Sequence, residues 1–169
     1  MSQGTQDGPQ DPAPPPRRRG PGQPSLKARA LRLLAQREHS RLELERKLRE
    51  HESQPGELAA ALDTLAAKGF ISDERVADSV LHRRAGKLGN ARVKAELQAK
   101  GLDEAVVREA LASLRSTEQE RALEVWRKKF GNAPADASER ARQMRFLAAR
   151  GFAAEVVRRV VSGSGHDDD

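Results

Sequence analysis

Four histidines, His39, His51, His82 and His166, are the side chains best suited to metal binding or proton transfer. None has a second histidine three or four residues away, so no helix face offers an imidazole pair, and each reads as a surface histidine. Asp73-Glu74 has the composition of an acid pair. It stands at a helix start, where carboxylates favour the helix dipole, and that structural role accounts for it. Phosphate-loop and nucleophile-elbow patterns are absent, and Gly86 and Gly89 in a basic loop read as a helix stop and a helix start. There is no cysteine, which removes disulfides and thiolate metal sites. With no catalytic, cofactor or metal constellation, the chain reads as a binding protein without a small-molecule substrate.

The chemistry that remains is cationic. Arg41, Arg46, Lys47 and Arg49 form one cluster. Arg83, Arg84, Lys87, Arg92 and Lys94 form a second, and Arg127, Lys128, Lys129, Arg140, Arg142 and Arg145 a third. Such groups contact phosphates without reading sequence. Base-stacking platforms are missing: there is no tyrosine, and Phe70, Phe130, Phe146, Phe152 and Trp126 all fall at positions a core requires. DNA binding is therefore expected to be electrostatic, salt-sensitive and weakly specific. The net charge is +6. Three arginines against two aspartates leave residues 1–25 at +1, and Asp167, Asp168 and Asp169 contribute −3, so 26–166 carries +8. That excess favours polyanionic partners or acidic protein surfaces; a merely solvated helical surface is the competing reading.

The elements that position these groups are helical. Alanine, leucine, glutamate, arginine and lysine dominate, and aromatic residues are only 3%. No apolar run is long enough to span a membrane and the first residues contain no hydrophobic signal core, which predicts a cytoplasmic protein. Residues 1–25, rich in Gly, Pro, Gln, Asp and Arg, are expected to be disordered, as is an acidic tail over 164–169. Nine helices are expected between them. Their starts near 26, 41, 57, 73, 90, 104, 118, 138 and 154 are marked by Ser40 with Glu43 as a capping box, Pro55-Gly56, Ser72 or Asp73, Gly89-Asn90, Asp103, and Thr117 with Glu120 as a second capping box. The second of these is read as running to about Glu52.

Helix stops recur. Leu97, Gly101, Leu102, Val106, Val107 and Leu111 match Leu147, Gly151, Phe152, Val156, Val157 and Val161 at an offset of fifty, and Leu65, Gly69 and Phe70 share the same cap chemistry at a non-equivalent position. Ser40, Leu44, Leu48, Leu58, Leu62 and Leu65 map onto Gly89, Val93, Leu97, Val107, Leu111 and Leu114 at a constant 49. Such a period predicts an all-α chain of three tandem three-helix repeats over 26–71, 72–115 and 116–163, stacked into an elongated, curved array. Gly69, Gly101 and Gly151 are expected to be structural.

Four segments in this order carry a family resemblance. They are ALRLLAQREHSRLELERKL over 30–48, Gly69-Phe70-Ile71-Ser72-Asp73-Glu74-Arg75, Lys87-Leu88-Gly89 continuing to Lys100-Gly101, and Phe146-Leu147 with Arg150-Gly151-Phe152. Together they resemble the RecX family of regulators of the RecA recombinase, over about residues 26–162. Val76 and Asn90 depart from its pattern, where the family often has phenylalanine and proline. The resemblance implies three three-helix repeats and a protein that binds RecA or the RecA–DNA filament. It implies suppression of ATP hydrolysis, strand exchange and filament extension, within recombination, DNA repair and the SOS response, with DNA binding as an accessory activity. The residues alone reach only an elongated basic helical binder. A sequence-neutral DNA-binding protein and a helix-turn-helix regulator built on the Gly101 turn both stay open. The clusters on the second, fifth and eighth helices are expected to make the contact. Reversing Arg46 and Lys47, or Arg92 and Lys94, is then expected to abolish inhibition while leaving melting unchanged.

Overall fold

A computed structural model describes residues 20 and 22–163. The segments expected to be disordered lie mostly outside these residues, as does His166. Among the described residues there are nine α-helices and no strand: α1 (Leu26–Gln36), α2 (Arg41–Leu48), α3 (Glu57–Ala67), α4 (Asp73–Arg84), α5 (Asn90–Ala99), α6 (Glu104–Arg115), α7 (Glu118–Lys129), α8 (Ala137–Ala149) and α9 (Ala154–Gly163).

The helix starts follow local chemistry. Ser40 Oγ accepts from the Glu43 amide while the Glu43 carboxylate accepts from the Ser40 amide, closing a capping box. Ser25, Ser72 and Asp103 cap α1, α4 and α6 in the simpler way. Three helix ends differ from expectation in capping or extent. Thr117 makes no side-chain cap; its hydroxyl donates to the Leu114 carbonyl and accepts from Arg121, which removes it from the α7 amides. Asp136, not the Ser138 region, caps α8, because its carboxylate accepts from the Glu139 amide. The second helix stops at Leu48 and tightens into a 3-10 turn over Arg49–His51 instead of running on to Glu52.

Each trio buries its own core. Leu26, Leu44, Leu48, Leu58, Leu62 and Leu65 fill the first. Val76, Val80, Val93, Leu97 and Val107 fill the second, and Trp126, Leu147, Phe152, Val157 and Val161 the third. In the third, Trp126 Nε1 donates to Gln143 Oε1 at 2.8 Å, which satisfies two polar groups that are otherwise sealed from water. Two expectations about side chains are corrected. Phe70 is 46% exposed and not in the core, since the turn after α3 projects it outward. His39 is 1% exposed, held by its Nδ1 against the Arg37 carbonyl at 3.0 Å, and burial pushes its pKa below the ordinary value.

The trios meet at glycines. Gly101 and Gly151 adopt φ of 70° and 85°, where any Cβ is strained. Each also lies against the preceding unit: Gly101 against the Leu42 side chain of α2, Gly151 against Arg92 of α5. The second helices of successive units therefore run end to end, α8 into α5 and α5 into α2.

Candidate partner-binding surface

The two end-to-end junctions are built differently. Between the second and third units, backbone joins backbone. The Gly89 amide donates to the Arg150 carbonyl at 2.8 Å and the Ala91 amide to the Gly151 carbonyl at 3.1 Å. The free amides of α5 and the free carbonyls of α8 thus satisfy each other, and the two helix dipoles align. Glu118, only 8% exposed, reinforces the joint by accepting from the Asn90 and Ala153 amides. Arg121 donates to the Ala85 and Leu88 carbonyls, both at 2.8 Å, and to Asn90 Oδ1 at 2.7 Å. Its burial lowers its pKa, with Glu118 opposing. Arg121→Met strips those carbonyls of their donor, and a loss of about 3 kcal/mol in urea unfolding is expected. An unchanged midpoint overturns the assignment.

Between the first and second units, ions do the joining. Lys100 Nζ lies 2.9 Å from Glu43 Oε1, with both side chains about one-sixth exposed. Arg37 approaches the same oxygen at 3.1 Å, and Arg75 pairs with Glu38 at 3.0 Å. Burial alone would raise the Glu43 pKa, but the Ser40 amide, Lys100 and Arg37 together bring it from 4.5 to about 2. A depressed carboxylate stabilises the fold fully above its unfolded pKa and stops doing so as pH falls through the folded one. Stability is therefore expected to drop between about pH 4.5 and pH 2, by up to about 3 kcal/mol. Denaturant midpoints of Glu43→Gln should lack that component of the acid loss; an identical acid profile refutes it.

These networks withdraw several of the expected binding cations from the surface. Arg41 pairs with Glu45 of its own helix at 3.0 Å and clamps α2 to α3 through Asp63 at 2.6 Å; the Asp63 hydrogen bond raises its pKa. Arg84 pairs with Glu96 at 3.1 Å. Arg92 donates to the Ala149 carbonyl at 3.1 Å, inside the second junction. Arg83 bonds the Ser79 carbonyl of its own helix and Arg140 bonds Ser162. Lys47 approaches His39 Nε2 at 3.5 Å. In the third unit Phe130 and Phe146 meet edge to face at 5.1 Å. Arg142 lies over the first ring, Lys129 and Arg150 over the second. These half-buried rings pack against the third core as expected and also serve as platforms for cations.

Of the expected binding cations, those that stay exposed and make no ion pair, side-chain hydrogen bond or ring contact among the described residues are a smaller set: Arg46 and Arg49 on the first unit, Lys87 and Lys94 on the second, Arg127, Lys128 and Arg145 on the third. Gly69 has φ of 78° and open space where a Cβ would stand, so it shapes its turn without close packing, although its carbonyl accepts from Arg75 of the second unit at 2.7 Å. The junction residues Glu118, Arg121 and Lys100 escape a reading by residue type, because Glu118 looks like an ordinary first-turn acid. One signal for Lys100 was legible: it precedes Gly101 as Arg150 precedes Gly151. Among the described residues no group of His, Asp and Glu could hold a metal, and no helix is long and apolar enough to cross a membrane.

Comparison with known proteins gives the same three units. Residues 27–65, 72–111 and 116–161 match the first, second and third three-helix domains of RecX. The regulatory protein RecX of Leptothrix cholodnii is 53% identical over 145 residues, 86% of this chain and 92% of that relative. That of Ralstonia pickettii is 49% identical over 145 residues, covering 85% and 91%. The crystal structure of RecX from Lactobacillus salivarius aligns at a TM-score of 0.72 with 19% identity, over 83% of this chain and 94% of that one. A second RecX crystal structure aligns at 0.69 with 20% identity, over 81% and 71%. With all three domains matched in order and relatives near half identity over most of its length, the chain belongs to the RecX family of regulatory proteins.

Proposed function

We propose that this protein regulates RecA. It binds RecA or the RecA–DNA filament and suppresses ATP hydrolysis, strand exchange and filament extension, contacting DNA electrostatically as an accessory. The observation that carries the reading is the distribution of unpaired cations. Arg46 and Arg49, Lys87 and Lys94, and Arg127, Lys128 and Arg145 give each unit of the repeat array its own unpaired cations, whereas the other clustered cations are engaged within the fold. A curved array with charge at regular intervals suits a periodic polyanionic partner such as a protein–DNA filament. Membership of the RecX family supports RecA as that partner. The three repeats 26–71, 72–115 and 116–163 are the binding modules, and the setting is the cytoplasm.

The test is RecA's ATP hydrolysis on single-stranded DNA with this protein titrated in at physiological salt. Loss of hydrolysis is expected well below the concentration that coats the DNA. Loss only near coating returns the protein to a sequence-neutral DNA binder, which is the second reading that the unpaired cations support.

A further inference from the structure

A groove of about 500 Å³ runs between α5 and α6 of the second unit. Its floor is apolar, formed by Leu102, Val107 and the half-buried Leu111. Its rim carries Lys94 from α5 and Arg108 and Arg115 from α6, opposed by a single carboxylate, Glu104. None of the three cations has an ion-pair partner among the described residues.

The arrangement belongs to this unit alone. At the repeat-equivalent positions the first unit has Glu45, Ala59 and Ala66, and Glu45 is already paired with Arg41. In the third unit Met144 replaces Lys94 and packs against the core, so Arg158, equivalent to Arg108, has no cation facing it from that position. The fold therefore does not require cations here, since the first unit closes without any of the three. The opposite flank of α6 has the reverse character: the groove it shares with α4 is flanked by Glu74, Asp78 and Glu109. One helix thus separates a positive groove from a negative one, which steers and orients any charged ligand.

We propose that the α5–α6 groove docks an acidic amphipathic segment of a protein partner, with apolar side chains on Leu102, Val107 and Leu111 and carboxylates on Lys94, Arg108 and Arg115. Nucleic acid is the poorer occupant because phosphates satisfy the rim and leave the apolar floor uncovered. A peptide helix or strand with alternate apolar and acidic side chains uses both. The proposal deepens the function above and rests on its reading that this chain acts on a protein. It assigns this groove to protein contact and leaves the remaining unpaired cations for the filament's phosphates.

The experiment uses the full isotope-labelled chain and three probes. The first is a synthetic peptide of Glu, Leu and Phe in amphipathic order. The second has the same charge with Ser for Leu and Phe. The third is a short DNA duplex. The first peptide is expected to shift the amide signals of Lys94, Val107, Arg108, Leu111 and Arg115, and to bind at least tenfold more tightly than the second. Lys94→Glu combined with Arg108→Glu should abolish that preference without moving the melting temperature, since neither side chain has a partner in the fold. Equal binding of the two peptides, shifts centred elsewhere, no binding, or displacement of the first peptide from these residues by the duplex each overturn the proposal. The ATP-hydrolysis test reads RecA directly and involves no probe peptide, so a failure there is separable from a failure here.

Discussion

Gly89→Ala separates the third unit from the second. The substitution adds one methyl at a position whose φ of −76° suits any residue, so backbone strain plays no part. Space decides the outcome. The new Cβ lies 2.2 Å from the Phe152 nitrogen and 2.3 Å from the Gly151 carbon and oxygen, all backbone atoms that cannot turn aside. Relief requires α5 to withdraw from α8, and withdrawal breaks the Gly89–Arg150 and Ala91–Gly151 hydrogen bonds together. It also pulls the Glu118 carboxylate from one of its two amides. Overpacking against rigid atoms costs about 3 kcal/mol, with the lost hydrogen bonds adding to it. For a chain of this size the melting temperature should fall on the order of 10 °C. Gly86→Ala is the control, because a Cβ there meets nothing within 4 Å. If the two variants melt alike, the backbone-to-backbone junction does not hold the units together. Inhibition of RecA should fall with Gly89→Ala even at temperatures where the helices persist, since the spacing of cations between units is lost.

Charge reversal at Arg46 and Arg49 is expected to weaken RecA inhibition at least tenfold with the melting temperature unchanged within about 1 °C. Both side chains are exposed and have no ion-pair partner among the described residues, so their removal breaks nothing in the fold. Removing two positive charges from a strongly basic surface slightly relieves self-repulsion. The same reasoning selects Lys128 and Arg145 in the third unit. It sets Arg92 aside, although residue type and position make it equivalent. Arg92→Glu abandons the Ala149 carbonyl and places a carboxylate beside the carbonyl end of α8, so it should lower the melting temperature by several degrees. Inhibition and thermal melts of the variants decide the matter. Full inhibition by the Arg46→Glu, Arg49→Glu protein means that these cations do not make the contact. An unchanged melt for Arg92→Glu means that it is a surface charge after all.

The helices and the repeat were legible in the sequence because their causes are local. Ser40 with Glu43, Ser72 and Asp103 announce helix starts, since a capping side chain reaches only two or three residues along the chain. Gly101 and Gly151 announce stops, and the 49- and 50-residue offsets follow from one supersecondary unit used three times. The leucine and valine positions then place each core, because burial follows the helical period. One corrected aromatic assignment shows the limit of that rule: Phe70 has the right neighbours in sequence but stands on a turn.

Which cations remain available for a partner was decided only by the tertiary structure. Lys and Arg look alike along a sequence, and their state depends on what lies opposite. For Arg41 that is a carboxylate 22 residues away, for Lys100 one 57 residues away, and for Arg92 a carbonyl 57 residues away. No local pattern encodes such partners. They arise where helices pack within a repeat, as for Arg41, or where the end of one repeat's helix meets the start of another's, as for Lys100 and Arg92, and long-range packing alone sets that geometry. Composition thus determined that the protein is basic and helical, while the packing of its helices within and between repeats determined which of its charges face the solvent unpaired.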